Sequence, residues 1–153
     1  MAIEKVREYL KKFGADGRIM EFDVSSATVE LAAVAVGAEP RRIAKTMAFS
    51  IKEKYILIVC AGDVKIDNHK YKSFFGAKAK MLTPEETACH IGHAVGGVCP
   101  FSVPDEVEIY LDESLRRFET VFPACGSSNS AIEVTLSELE KFPDRINGLT
   151  SAG

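Results

Sequence analysis

Residues 43–61 read IAKTMAFSIKEKYILIVCA and contain two runs of β-branched, aliphatic and aromatic residues. The first run is Thr46–Ile51 and the second is Tyr55–Ala61. Only the short polar segment Lys52-Glu53-Lys54 separates them. Two such runs joined by so short a polar link are typical of a β-hairpin. We therefore expect the centre of the chain to form two neighbouring antiparallel strands.

The residues before this hairpin show helical patterns. Residues 3–13 place apolar side chains at helical spacing, and Gly14 is positioned to end that helix. The pair Ser25-Ser26 is a candidate N-cap for a second helix. That helix is predicted to run to about Val36 and to end at Gly37.

Both helices and strands are predicted after the hairpin. Asp67 is a candidate cap for a helix over residues 68–75. In Thr83-Pro84-Glu85-Glu86 an N-cap residue, a first-turn proline and acidic residues follow in order, which predicts a helix to about Ile91. The runs that predict short strands are Val107–Leu111, Glu119–Phe122 and Ala131–Val134, and Ser137–Lys141 predicts a closing helical turn.

The order of these elements defines the fold class. Helices and strands are interspersed, and several strands follow one another through a hairpin or a short loop, which favours an α+β fold with a mixed sheet. No repeat or linker interrupts the 153 residues, so we expect one domain over residues 1–153, with 148–153 as a loose tail. No Gly-x-Gly-x-x-Gly or Walker sequence is present, so a Rossmann or P-loop nucleotide site is not supported.

The composition excludes several classes of protein. Hydrophobic residues make up 46% and charged residues 27% of the chain, as in ordinary globular proteins. The longest apolar runs, 31–38 and 55–62, are far shorter than the roughly 20 residues of a membrane-spanning helix. The charged N-terminus has no apolar signal core, so we expect the cytosol, with all four cysteines as thiols.

Charge is unevenly distributed along the chain. Residues 1–80 carry a balance of +5 and residues 81–153 a balance of −8, giving the net charge of −3. A local basic face attracts a polyanion even on an acidic protein. The alternative is that folding intermixes the two halves and leaves no such face.

Three segments are candidates for chemistry. In the first, Arg41-Arg42-Ile43-Ala44-Lys45-Thr46, Lys45 falls where a helical turn passes into a strand. A lysine at such a junction can present its ammonium in a cleft, where it binds a phosphate or a carbonyl oxygen. The alternative is a surface lysine that covers apolar neighbours with its stem.

The second and third segments are rich in small residues. Residues 92–101 contain Gly96-Gly97, whose backbone N–H groups could hold an ester carbonyl, or could simply form a tight turn. Residues 122–130 place serines and Asn129 around Gly126. Their polar groups could line a pocket, or could form a solvated loop.

A metal site and a cysteine nucleophile both have weak support. Cys89-His90-x-x-His93 lacks the paired spacing of structural zinc sites, so no metal is expected. Cys99 or Cys125 with His93 as base is possible on residue types alone, but nothing nearby stabilises a thiolate.

Taken in order, three stretches of the chain resemble one known family. They are Arg42-Ile43-Ala44-Lys45-Thr46, Gly96-Gly97-Val98-Cys99-Pro100-Phe101 and Ala124-Cys125-Gly126-Ser127-Ser128-Asn129, followed by Ala131-Ile132-Glu133-Val134. The chain thereby resembles the YbaK/prolyl-tRNA-synthetase-associated editing domains, also called ProX or INS-like aminoacyl-tRNA deacylases. The likeness extends over essentially the whole chain. Family members often carry serine where Cys99 stands.

This resemblance implies a fold, an activity and a site. The fold is an α+β domain whose mixed, partly barrel-like sheet is flanked by helices. The activity is hydrolysis of a wrong amino acid, Cys or Ala on the tRNA for proline, from the 3′ end of a mischarged tRNA, without a cofactor. Prolyl-tRNA synthetase is a possible partner. Lys45 is implied as catalytic. The residues expected to bind substrate are Thr46, His93, Gly96, Gly97, Val98, Cys99, Pro100, Phe101, Gly126, Ser127, Ser128 and Asn129.

The chemistry of the residues agrees with that implication. An aminoacyl ester is already activated, so hydrolysis mainly needs positioning and polarisation of the carbonyl. Water or a group of the substrate itself would attack. The alternative is a non-catalytic module that binds a tRNA end, a nucleotide or a small amino acid beside a synthetase.

Overall fold

The predicted hairpin forms the centre of the fold. The computed structural model describes residues 2–151. Strand β2 (Ile43–Ile51) pairs antiparallel with β3 (Lys54–Ala61), with Ala44 opposite Ala61 and Ile51 opposite Lys54. The link is thus two residues long, and Lys52 adopts a φ of 54° there. The hairpin prediction is confirmed.

A mixed sheet grows outward from this hairpin. The remaining strands are β1 (Met20–Glu21), β4 (Glu108–Asp112), β5 (Thr120–Pro123), β6 (Ser130–Ala131), β7 (Val134–Thr135) and β8 (Gly148–Thr150). Six of them are ordered β7-β5-β2-β3-β4-β8, while β1 and β6 form a separate pair. β5 joins β2 in parallel, as β4 joins β3 and β8 joins β4. The sheet curls into a half-barrel, which confirms the mixed α+β fold.

Five helices lie along the described chain, and four of them begin directly after a residue whose side chain caps the helix. They are α1 (Ala2–Lys11), α2 (Val29–Val36), α3 (Asn68–Phe75), α4 (Pro84–His90) and α5 (Leu136–Lys141). Asp67 caps α3, and Thr83 with Glu86 forms a reciprocal capping box on α4, both as predicted. Within residues 2–151, no helix has the length and apolar character needed to cross a membrane.

Three local predictions need correction. Thr28, not Ser25-Ser26, caps α2, because its side chain accepts a hydrogen bond from the Leu31 amide. The run 131–134 is not one strand but parts of β6 and β7. Residues 148–150 are not a loose tail, because they form β8 beside β4. Residues 152 and 153 of the predicted tail lie outside the described residues.

Strand β2 is only partly paired on its second side, and this gap positions the candidate site. β5 pairs with Ile43 and Ala44 alone. Further along, the Ala48 carbonyl accepts from the Leu82 amide, and the Ser50 amide donates to the Lys80 carbonyl. Between the pairing with β5 and these two hydrogen bonds, the edge of β2 is open. Because backbone groups alternate along a strand, the N–H and C=O of Thr46 point to the same side as those of Ala48 and Ser50.

Candidate functional site: a cavity at the open edge of β2

A cavity of about 180 Å³ lies at this open edge. Residues 43–48 of β2 form one wall, and the segments 26–29, 81–82 and 95–98 form others. Residues from the ends of β5 and β6 complete it. Ligand pockets for drug-sized molecules usually measure about 300–1,000 Å³. This cavity therefore fits a small group rather than a drug-sized molecule.

Lys45 lies on the wall of the cavity, as the sequence predicted. The residue is half-buried on β2, opposite the fully buried Cys60 of β3. Within residues 2–151 its ammonium takes part in no hydrogen bond or ion pair. A cation without a protein partner in a concave, largely apolar site is available to a carbonyl or phosphate oxygen.

Gly96 lies on a second wall of the cavity, and the backbone of the Gly96-Gly97 pair comes close to two other loops. Gly96 lines the cavity with a φ of 94°, and a Cβ there would lie 3.0 Å from the Cβ of Ala27. A Cβ on Gly97 would lie 2.5 Å from the Ser127 amide nitrogen. Only glycine allows this approach of two backbones.

The donors of this loop differ from those that the sequence suggested. The Gly97 amide donates to the Ala94 carbonyl at 2.9 Å, and the Gly126 amide donates to the Gly97 carbonyl at 2.9 Å. Neither amide is free for a ligand. The amides of Gly96 and Val98 make no hydrogen bond within residues 2–151, and both residues line the cavity. Within this loop, they are the main-chain donors left for a ligand oxygen.

The third predicted segment supports the site from outside. Ser127, Ser128 and Asn129 do not line the cavity. The Ser128 carbonyl accepts from the Ser26 amide at 2.6 Å, and the Asn129 carbonyl accepts from the Phe22 amide at 2.8 Å. These bonds hold the chain before α2 against the 126–130 turn. Its following residues, Ser130 and Ala131, do line the cavity.

Four predicted binding residues lie behind the cavity rather than on its wall. They are His93, Cys99, Pro100 and Phe101, and all are buried. His93 Nε2 lies 2.9 Å from the Phe101 carbonyl oxygen and therefore donates to it. Burial lowers the pKa of His93, so the imidazole stays neutral near pH 7. The hydrogen bond from His93 to the Phe101 carbonyl joins the two ends of the segment that contains the glycine pair.

The cysteine and metal alternatives fit this geometry poorly. Cys99 Sγ lies 3.6 Å from His93 Nε2, but burial raises the pKa of that thiol to about 12. Burial likewise raises the pKa of Cys125 well above its ordinary value. Cys89 is exposed whereas His93 is buried, so the two do not present a shared face. In the described part of the chain no three His, Cys, Asp or Glu side chains cluster as metal ligands.

Sequence reasoning missed two kinds of cavity residue. The sequence predicts Ser26 as part of a helix cap, but the residue lines the cavity. Phe122, Met47 and Ala48 line it as well, because β5 separates from β2 at this point. The Ser25-Ser26 pair in front of the apolar helix α2 is the sequence feature that could have indicated Ser26 as a cavity residue. No sequence signal marks where two strands separate.

Comparison with known proteins agrees with this geometry. Residues 24–142 match the family model of the aminoacyl-tRNA editing domain. The chain belongs to this family, and the resemblance seen in its motifs is confirmed. Family membership supports editing of mischarged tRNA as the general function.

Individual relatives place the chain within that family. It is 50% identical over 143 residues to the uncharacterized protein YwhH of Bacillus subtilis, covering 93% of this chain and 91% of that protein. It is 28% identical over 102 residues to the proline–tRNA ligase of a Geobacillus species, covering 66% of this chain but 18% of that enzyme. A crystal structure described as a candidate trans-editing enzyme for prolyl-tRNA synthetase superposes with a TM-score of 0.85 at 28% identity, covering 97% and 96% of the two chains.

Proposed function

We propose that this protein hydrolyses the ester of a small, wrongly attached amino acid, alanine or cysteine, on the tRNA for proline. The observation that carries the proposal is the Lys45 ammonium, which has no partner in residues 2–151 and stands on the wall of a small cavity. The matching solved structure and the proline–tRNA ligase relatives support the choice of tRNA. The description of that structure as a candidate trans-editing enzyme supports action in trans.

The residues of the cavity suggest how the ester would be held. Lys45 attracts the carbonyl oxygen or the terminal phosphate, and the amides of Gly96 and Val98 donate to remaining oxygens. Donors aimed at the developing negative charge lower the barrier to attack on an ester. Water then attacks the polarised carbonyl, and the bond from the carbonyl carbon to the ribose oxygen breaks. The amino acid leaves with a free carboxylate and the tRNA leaves with its hydroxyl.

The size of the cavity supports a small amino acid. A volume of about 180 Å³ accommodates a methyl or thiol side chain together with the ester. Ala32, Ile43 and Phe122 supply apolar contacts. Large side chains would collide with residues that are themselves packed in the core.

A panel of charged tRNAs tests this proposal. The wild-type protein is incubated with the tRNA for proline carrying labelled alanine, cysteine, serine or proline, and release of the amino acid is followed. Alanine or cysteine release, with proline retained, is the expected result. Binding of these tRNAs without release of any amino acid would contradict the proposal and favour a non-catalytic binding module.

A further inference from the structure

A basic stretch of the chain leads directly to the wall of the cavity. Residues 65–80 contain five lysines and one acidic residue, Asp67. The Asp67 carboxylate is engaged at the start of α3, where it accepts hydrogen bonds from the His69 and Lys70 amides. The side chains of all five lysines are exposed; they are Lys65, Lys70, Lys72, Lys78 and Lys80. The segment therefore places positive charge on the surface of a protein whose net charge is −3.

Packing explains why these lysines face solvent. Tyr71 is fully buried among side chains of β2 and β3. Ala77 and Ala79 pack against the same cluster, whereas Lys78 and Lys80, which alternate with them, are exposed. The segment thus covers the central hairpin with its apolar side chains and presents its lysines outward.

Three of the five lysines have no acidic partner. Lys65, Lys72 and Lys78 form no ion pair within residues 2–151. The charge of Lys80 is partly balanced by Glu86, because the pKa of Glu86 is lowered first by its hydrogen bond with the Thr83 amide and further by the nearby Lys80 charge. Lys72 and Lys78 are therefore the residues whose charge is most available to an external anion.

The basic segment ends at the cavity. The Lys80 carbonyl accepts from the Ser50 amide at 2.9 Å, and Met81 lies opposite Phe49 of β2. Met81 lines the cavity and is also 60% exposed, which places it at the mouth. Lys78 precedes Met81 by three residues, so their Cα atoms are at most about 11 Å apart. A ligand that extends from the mouth on this side meets the lysines.

The proposed substrate has a part of matching charge. A cavity of about 180 Å³ takes only the aminoacyl end of a tRNA, so the phosphates of the RNA chain remain outside it. The lysine ammonium is a compact charge that binds phosphate. Contacts between lysines and phosphates supply affinity that is independent of sequence and set the position of the nucleic acid on the protein.

We propose that the exposed lysines of residues 65–80 bind phosphates of the tRNA acceptor stem and thereby hold its aminoacyl end at the cavity mouth beside Met81. This inference rests on the proposed deacylase function and assigns the surface that binds the rest of the substrate. The lysines of this segment do not contact the ester. They act on binding of the tRNA and leave the chemical step unchanged.

Binding of uncharged tRNA tests this surface without any need for catalysis. Lys72→Ala and Lys78→Ala are compared with the wild type and with Lys141→Ala, which removes an exposed lysine of α5. Affinity for the tRNA for proline is measured between about 50 and 200 mM salt. Each of the two variants is expected to bind at least about fivefold more weakly at about 100 mM salt. The slope of log K against log salt concentration should fall in magnitude by about 1, and Lys141→Ala should match the wild type.

Hydrolysis of the alanyl ester on the same tRNA separates binding from chemistry. Both variants should raise KM by about the same factor as they weaken binding, with kcat within about twofold of the wild type. Wild-type affinity and salt slope in both variants would overturn the inference, as would an equal loss of affinity in Lys141→Ala. A loss confined to kcat would also overturn it. Absence of amino acid release by the wild type would overturn the proposed function, whereas the binding comparison decides the surface independently.

Discussion

At the residue scale, burial determines which thiols can react. Cys60 is fully buried on β3, and burial raises its pKa to about 12 although the nearby Lys45 charge acts in the opposite direction. Cys99 has a similarly raised pKa for the same reason. Cys89, on α4, is exposed. Because the thiolate is the nucleophile, none of the three buried cysteines is suited to attack an ester near pH 7.

Alkylation of the native protein tests this conclusion. Iodoacetamide is expected to modify Cys89 and to leave Cys60, Cys99 and Cys125 intact until the protein is unfolded. Mass spectrometry of peptides from native and denatured samples measures each site. An adduct on Cys99 in the folded protein would contradict its burial. Cys89→Ser should retain full deacylase activity, because Cys89 does not line the cavity.

At the scale of elements, the contact between the two glycine-containing loops shapes the cavity. Gly97→Ala would place a Cβ 2.5 Å from the Ser127 nitrogen and 2.6 Å from the Gly126 carbonyl carbon. Backbone atoms at these positions must move, so we expect a loss of about 1–3 kcal/mol in the free energy of unfolding. Deacylase activity should fall by more than the loss of folded protein explains, because Gly96 and Val98 move with the loop.

A matched glycine supplies the control for this variant. Gly17 lies in a 3₁₀ turn, has no positive φ, and a Cβ there would meet nothing within 4 Å. Gly17→Ala should therefore leave stability within about 0.5 kcal/mol of the wild type and activity unchanged. Urea unfolding measures both variants. Equal stability of the two would contradict the close loop contact at Gly97.

The ion pair between Arg18 and Glu138, which lies in the first turn of α5, gives a pH-dependent prediction. The Arg18 guanidinium hydrogen-bonds both carboxylate oxygens of Glu138, which lowers the pKa of Glu138 to about 2. A lowered folded-state pKa means that this stabilisation is present above the ordinary pKa near 4.5 and is lost as the pH falls toward 2. The pair is partly exposed, so its contribution is at most about 1 kcal/mol.

The variant Glu138→Gln isolates the charge, because an amide oxygen can still accept from the Thr135 amide. We expect it to lose up to about 1 kcal/mol at pH 7 and to approach the wild type as the pH falls toward 2. Urea unfolding across this range measures the difference. A difference that stayed constant or grew toward low pH would argue against the Arg18 pair as its source.

At the scale of the whole molecule, the C-terminal strand closes one edge of the sheet. Thr150 is buried, and its hydroxyl donates to Asp112 Oδ1 at 2.8 Å, which ties β8 to β4. Asp112 is itself only 3% exposed. A buried carboxylate that loses a donor is expected to destabilise the fold by about 1–3 kcal/mol.

Thr150→Val tests this contact, and Thr150→Ser is its control because serine keeps the hydroxyl. Valine should lower the free energy of unfolding in that range, and serine should lower it much less. Thermal unfolding of both variants distinguishes the cases. If Thr150→Val were as stable as the wild type, this contact would not stabilise the fold, and residues 148–150 would behave as the loose tail that the sequence predicts.

How well the sequence predicts a feature depends on how far apart along the chain the interacting residues lie. Asp67 and the Thr83 capping box act within one or two helical turns, and the sequence located both. Strand β8 depends on a partner 38 residues away, so its short polar sequence carried no local signal. The site divides in the same way. Lys45 lines the cavity and belongs to a motif that is local in sequence, whereas Ser26 lines it from a loop that bonds to the distant Ser128.

Charge also depends on the whole fold. Several basic residues of the first half pair with acidic residues of the second, as in Arg18–Glu138, Arg42–Glu133 and Lys54–Glu108. Folding therefore intermixes the two halves and neutralises part of the excess positive charge. Lys45 has no such ion pair within residues 2–151, so its charge remains available in the cavity.

The most direct test of this account is single-turnover hydrolysis of the alanyl ester on the tRNA for proline by wild-type protein and by Lys45→Ala. Lys141→Ala, which changes an exposed lysine on α5, is the control. We expect Lys45→Ala to lose at least about tenfold in rate, with wild-type folding by circular dichroism, because the ester oxygen loses its cationic partner. Equal rates for wild type and Lys45→Ala would contradict the central role of this lysine.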